Sequence, residues 1–105
     1  MRQKTTKLKK LESDRYSIIT DNLSKCICCS NKCDDINEIF MGRNRLNSIK
    51  YGLCIPLCRS CHTKYHNDRE MQLYWMKIGL EAYLQEHTIE EFRDTFKYIK
   101  GLDIF

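Results

Sequence analysis

The chain has 105 residues, 42% hydrophobic and 30% charged, with a formal net charge of +4 and a mean hydropathy of −0.57. That length holds one small domain with an appended element rather than two full cores, and no apolar run approaches the ~20 residues of a bilayer span, so no membrane partner is expected. Seven cysteines, an odd number, and a basic start (MRQKTTKLKK) with no apolar segment behind it argue against an exported disulfide scaffold and for a metal-binding protein of the cytoplasm.

Residues 1–13 are polar and Lys-rich without periodicity and read as a flexible basic arm. Residues 14–67 form the second unit. Within it the β-branched run Ser17-Ile18-Ile19-Thr20 leads into a tight turn over Cys26–Cys33, where Ser30 and Asn31 supply turn formers. A strand is expected over Ile36–Met41, a basic loop over Gly42–Asn47, and a second strand over Tyr51–Leu57, which Pro56 confines to an edge or terminus. Ser60 is the expected N-cap of a short helix carrying His62 and His66.

Residues 68–105 read as a helical extension packed on that unit. The spacing of Leu73, Met76, Leu80 and Leu84 predicts a helix over 68–85, which Gly79 weakens by ~1 kcal/mol relative to Ala. Thr88-Ile89-Glu90-Glu91 spells a capping box. The helix behind it aligns Ile89, Phe92, Phe96 and Ile99, and Gly101 is the expected stop. The aromatic residues of this region read as core rather than as a stacking platform. The fold class is therefore α+β: a small zinc-centred ββα unit with two C-terminal helices.

Charge is focused at the centre. Residues 39–67 carry Arg43, Arg45, Lys50, Arg59 and Lys64 with two histidines and no acid, whereas 68–105 are net acidic. Such a focus suits an anionic partner, phosphate above all. Cys26-x-x-Cys29 and Cys58-x-x-Cys61 lie in the same region, 28 residues apart. Two such knuckles present four thiolates to one tetrahedral ion, and structural Zn²⁺ is the expected occupant. Only 26/29 in the first cluster has the two-residue gap, which leaves Cys28, Cys33 and Cys54 as spares. His62 and His66, spaced i, i+4, share a helix face and suggest a second, open metal position at a phosphate.

With GRNRxNSxKYG (42–52) and LCxxCHxxxH (57–66) on the page, the chain resembles the zinc-containing HNH, or ββα-metal, nucleases. It is most similar to the small HNH-like proteins of phages and prophages of Gram-positive bacteria, from about Tyr16 to the C-terminus. The resemblance implies a treble-clef-like ββα fold, a host bacterial cytoplasm, and hydrolysis of phosphodiesters around Mg²⁺ or Mn²⁺. It implies His66 as the ligand of that catalytic metal, with His62 in support. Asn37-Glu38 falls where the family has an acidic or His metal ligand followed by its His general base. Asn37 offers a neutral carbonyl oxygen, and Glu38 becomes the general base or a metal ligand. Arg43, Arg45, Lys50 and Lys64 are the candidate phosphate-binding residues.

Two functions stay open on the sequence. One is a divalent-metal-dependent endonuclease acting on DNA more than RNA. The other is a catalytically degenerate scaffold that binds nucleic acid or protein, such as a phage inhibitor of a host-defence system (anti-CRISPR-like) or a recombination accessory protein.

Overall fold

In the computed structural model, the described residues are 15–105; the basic arm expected over 1–13 lies outside them. The described chain is α+β, with a two-stranded antiparallel sheet and four α-helices. Strand β1 (Asp35–Glu38) pairs with β2 (Cys54–Leu57) in the register Asp35↔Leu57, Ile36↔Pro56, Asn37↔Ile55 and Glu38↔Cys54. Both strands are shorter than expected, because beyond the Glu38↔Cys54 pair, and past one more bond from the Ile39 amide to the Leu53 carbonyl, the two segments part at the same end of the ladder. Pro56 is tolerated because each strand of a two-stranded sheet is an edge. Its carbonyl accepts from the Ile27 amide at 2.9 Å, which fastens the first cysteine knuckle to the sheet.

The basic loop expected over Gly42–Asn47 is instead a 3-10 turn (Gly42–Asn44) running into helix α1 (Arg45–Lys50). Its polar residues face inward and do structural work. The Ser48 hydroxyl donates to the Phe40 carbonyl at 2.7 Å and accepts from its amide at 3.1 Å. Asn44 Nδ2 and Oδ1 hold the Lys97 carbonyl and amide at 3.1 and 2.7 Å, and Asn47 Nδ2 holds the Thr95 carbonyl at 2.9 Å.

Helix α2 (Arg59–Asn67) is capped not by Ser60 but by Cys58, whose sulfur accepts from the Cys61 amide. Asp68 then caps α3 (Arg69–Tyr83), leaving no linker between the two. Gly79 is needed there: a Cβ would lie 3.3 Å from two Ile39 carbons, so its absence lets α3 approach the sheet. The Thr88/Glu91 capping box forms and opens α4 (Ile89–Thr95). That helix stops at Phe96 rather than Gly101, because the Asn44 and Asn47 amides take the backbone at 95–97 into an extended course.

The units expected as 14–67 and 68–105 share one core. Ile39, Phe40, Leu53, Ile55 and Leu57 pack with Tyr83, Phe92 and Phe96. Phe40 meets Phe92 and Phe96 with ring centroids 5.4 and 5.1 Å apart. Tyr83, Phe92 and Phe96 are core, as the sequence suggests, whereas Tyr74 and Tyr98 of the same region are exposed. Among the described residues no helix is long and apolar enough to cross a membrane.

Candidate metal centre and adjoining cleft

Cys26, Cys29, Cys58 and Cys61 come together with all four sulfurs within 4.8 Å of one another. Cys29 Sγ and Cys58 Sγ, one from each knuckle, are 3.6 Å apart. A tetrahedral Zn²⁺ with bonds of ~2.3 Å separates its sulfurs by about 3.8 Å, close to the Cys29–Cys58 spacing and within an ångström of the widest in the set. Amides of the knuckles aim at the sulfurs. Burial works against the Cys26 thiolate, but the N–H groups of Cys58, Cys28 and Cys29 outweigh it and hold that thiol down at about 6. Burial and then the neighbouring sulfurs push Cys61 the other way. Four thiolates cannot crowd together alone, and a dication resolves the conflict. Four sulfurs at this spacing can hold a metal such as zinc, and they would fill all four positions of a tetrahedral ion.

The three spare cysteines stay out of the four-sulfur cluster, although the Cys28 thiol touches that of Cys26. Cys33 donates to the Asp35 carbonyl at 3.2 Å. Cys54 is fully buried on β2, and burial followed by the Glu38 charge pushes its thiol up to about 12. Cys28 is exposed.

Beside the centre lies an open cleft of about 400 Å³ whose lining includes Asn37, Glu38, Arg45, His62 and His66, with Arg15 and Asp35. Strand β1 supplies the first two and α2 the histidines, whose rings are 4.6 Å apart. The sequence-derived set of Asn37, Glu38, His62 and His66 is thus brought to one place. Of the four candidate phosphate-binding residues only Arg45 lines this cleft. Arg43 lines a second cleft, Lys50 stands 5.4 Å over the Tyr51 ring, and Lys64 is exposed on α2.

The cleft's charges are engaged with one another. Glu38 Oε1 accepts from Arg45 Nε at 2.6 Å and from Arg15 Nη2 at 2.9 Å. Arg15 Nη1 also donates to the Ile36 carbonyl at 2.8 Å. Asn37 is buried, and its Nδ2 donates to the Glu38 carbonyl at 3.2 Å. His62 Nδ1 pairs with Asp35 Oδ2 at 2.9 Å, and Arg59 Nε is 3.5 Å from the same oxygen. The His62 contact first, and Arg59 as well, hold the Asp35 carboxyl below the usual range. Asp35 and Arg15 were not singled out from the sequence. Asp35 lies two residues before Asn37 on the same strand face, a signal available from period-two alternation. Arg15 has none, reaching Glu38 across 23 residues of chain.

Among the described residues, the four cysteines are the one group of three or more His, Cys, Asp or Glu side chains gathered within ligating reach of a single ion. Glu38 turns Oε1 to Arg15 and Arg45, and Asp35 turns Oδ2 to His62 and Arg59. No protein-family model matches the chain, and no curated protein or solved structure matches it either.

Proposed function

We propose that the protein is an HNH-like zinc module that binds nucleic acid, DNA more than RNA, without hydrolysing it. The observation that carries this reading is the double arginine grip on Glu38, the residue that would have to serve as base or metal ligand in a nuclease. Both guanidiniums take up the same carboxylate oxygen and stand where a water or a cation would have to approach it. Basic residues remain available outside that grip. Arg43, Lys50 and Lys64 have no carboxylate partner among the described residues, and residues 39–67 carry no acid to offset them.

One observation favours the nuclease reading instead. With Nδ1 of His62 on Asp35, Nε2 is the ring's remaining atom, and a carboxylate behind a histidine is the usual way to orient an imidazole for metal or proton work.

Fluorescence anisotropy of a labelled DNA duplex, titrated with zinc-loaded protein over a range of salt, tests the proposal. Binding that weakens with a log–log slope between about −3 and −5 is expected, the signature of a few phosphate contacts. Absence of DNA and RNA binding overturns it, and tight, salt-insensitive capture of one host protein would make the chain an inhibitor of a defence system instead.

A further inference from the structure

A second cleft, of about 240 Å³, opens across Met41 and Gly42 from the first. Its walls include Arg43, Arg69, Lys100, Asn44 and Tyr98, and none of its lining residues is acidic. Here no carboxylate takes up the cations, as Glu38 does those of the first cleft. Among the described residues no carboxylate pairs with Arg43, Arg69 or Lys100. Arg69 is held in place by neutral acceptors, with Nη1 donating to Gln72 Oε1 at 2.9 Å and Nη2 donating to the Lys100 carbonyl. Its charge is therefore oriented but not neutralised.

The aromatic component is equally specific. Tyr65, Tyr83, Phe92 and Phe96 of the chain's second half are buried, whereas Tyr98 is 68% exposed and Tyr74, on a different cleft, 60%. The Tyr98 ring lies 5.8 Å from that of Phe105, itself 44% exposed. Cations interleaved with an exposed aromatic face form the arrangement that binds an unpaired nucleotide, with charge for the phosphate and a π-face for the base. A paired base has no free face to offer. Between the two clefts the chain is bare: Gly42 has φ +62°, and a Cβ there would meet nothing within 4 Å.

We propose that this cleft is a subsite for one nucleotide of a single strand. Its base stacks on Tyr98, Arg43, Arg69 and Lys100 hold its phosphate, and the strand continues over Gly42 into the first cleft. This rests on the nucleic-acid reading above and narrows it to single-stranded or junction-flanking DNA. Arg69, Tyr98 and Lys100 lie outside the segments that carry the HNH resemblance at the zinc centre.

The test compares a labelled single-stranded oligonucleotide with a hairpin duplex, using zinc-loaded wild type, Tyr98→Ala, Tyr98→Phe and the double variant Arg43→Gln/Lys100→Gln. Tyr98→Ala is expected to weaken single-strand binding about tenfold and leave the duplex unchanged, while Tyr98→Phe retains affinity. The double variant should lower the magnitude of the single-strand salt slope by about 1.4. Zinc content and thermal midpoint monitor folding, and the exposure of Tyr98 makes both variants there tolerable. Nucleic-acid binding indifferent to all three variants overturns the subsite and leaves the broader reading standing. Equal losses on both DNAs also overturn the subsite. If no nucleic acid binds the wild type, both fall together.

Discussion

Glu38 Oε1 lies 2.6 Å from Arg45 Nε, joining the end of β1 to the start of α1, and Arg15 closes on the same oxygen at 2.9 Å. One carboxylate thus serves two guanidiniums in the lining of the cleft beside the metal centre and offsets the charge of one of them. The Glu38 side chain is 12% exposed and Arg45 39%, so this is a partly desolvated pair rather than a surface one.

Removing that carboxylate has opposite effects on stability and on binding. Glu38→Gln should destabilise the fold by about 1–3 kcal/mol, discounted toward the lower end for the exposure of Arg45. It should also tighten DNA binding several-fold, because Arg15 and Arg45 then meet phosphate without an internal competitor. Chemical denaturation reads the first effect and anisotropy the second. Weaker binding by Glu38→Gln would show that Glu38 contributes to ligand binding.

The metal centre makes a prediction in thiol chemistry. Zinc-loaded protein should carry one zinc per chain and expose Cys28 to a thiol reagent, while the four ligands stay protected. Cys54, buried with its thiol pushed up to about 12, should react last even after chelation. Chelation should unfold the centre, since a structural zinc contributes ~10–16 kcal/mol of apparent binding energy. Mass spectrometry of the labelled protein with and without a chelator checks both.

The Asn44 clamp is worth more than its neutral chemistry suggests. Asn44 is 5% exposed and its amide holds both backbone groups of Lys97. Asn44→Ala should cost about 2–3 kcal/mol, because it strands partners that have little access to water. The midpoint of urea unfolding should fall with an unchanged slope.

Acid sensitivity of α4 follows from its capping box. The Thr88 amide first, and then His87, depress the Glu91 carboxyl below its ordinary value. A depressed folded value means that the stability this group lends is complete above its unfolded pKa of ~4.3 and is lost as pH falls through the folded one. Glu91→Ala should lower the thermal midpoint at neutral pH, with a smaller difference from wild type below about pH 4. Thermal midpoints across that range measure it; a difference that grows on acidification would reverse the assigned sign.

What the sequence disclosed follows from the range of the interactions involved. CxxC spacing is local, so both knuckles were legible, and the 26/29 choice among four nearby cysteines matches the cluster that forms. The capping box is equally local and appears as read. α1 was missed because Ile49 is its only buried apolar residue, while Ser48 beside it and Asn44 in the preceding 3-10 turn are buried and polar. They hold backbone groups up to 53 residues away, so they leave no apolar stripe. Ser60 lost the N-cap to Cys58 because the knuckle sulfur already accepts the Cys61 amide. The Arg15–Glu38–Arg45 grip has no sequence pattern at all, and it is the feature that bears most on whether the cleft can do chemistry.

The central claim is that this zinc module holds nucleic acid without cutting it, and a combined retention-and-cleavage assay tests it most directly. End-labelled single-stranded, duplex and branched DNA would be incubated with zinc-loaded protein and Mg²⁺ or Mn²⁺, then resolved on native and denaturing gels in parallel. Retarded DNA on the native gel and full-length strands on the denaturing gel are the predicted result. Shortened strands made by the wild type, and lost with both Glu38→Ala and His66→Ala, would contradict it and make the cleft a nuclease active site.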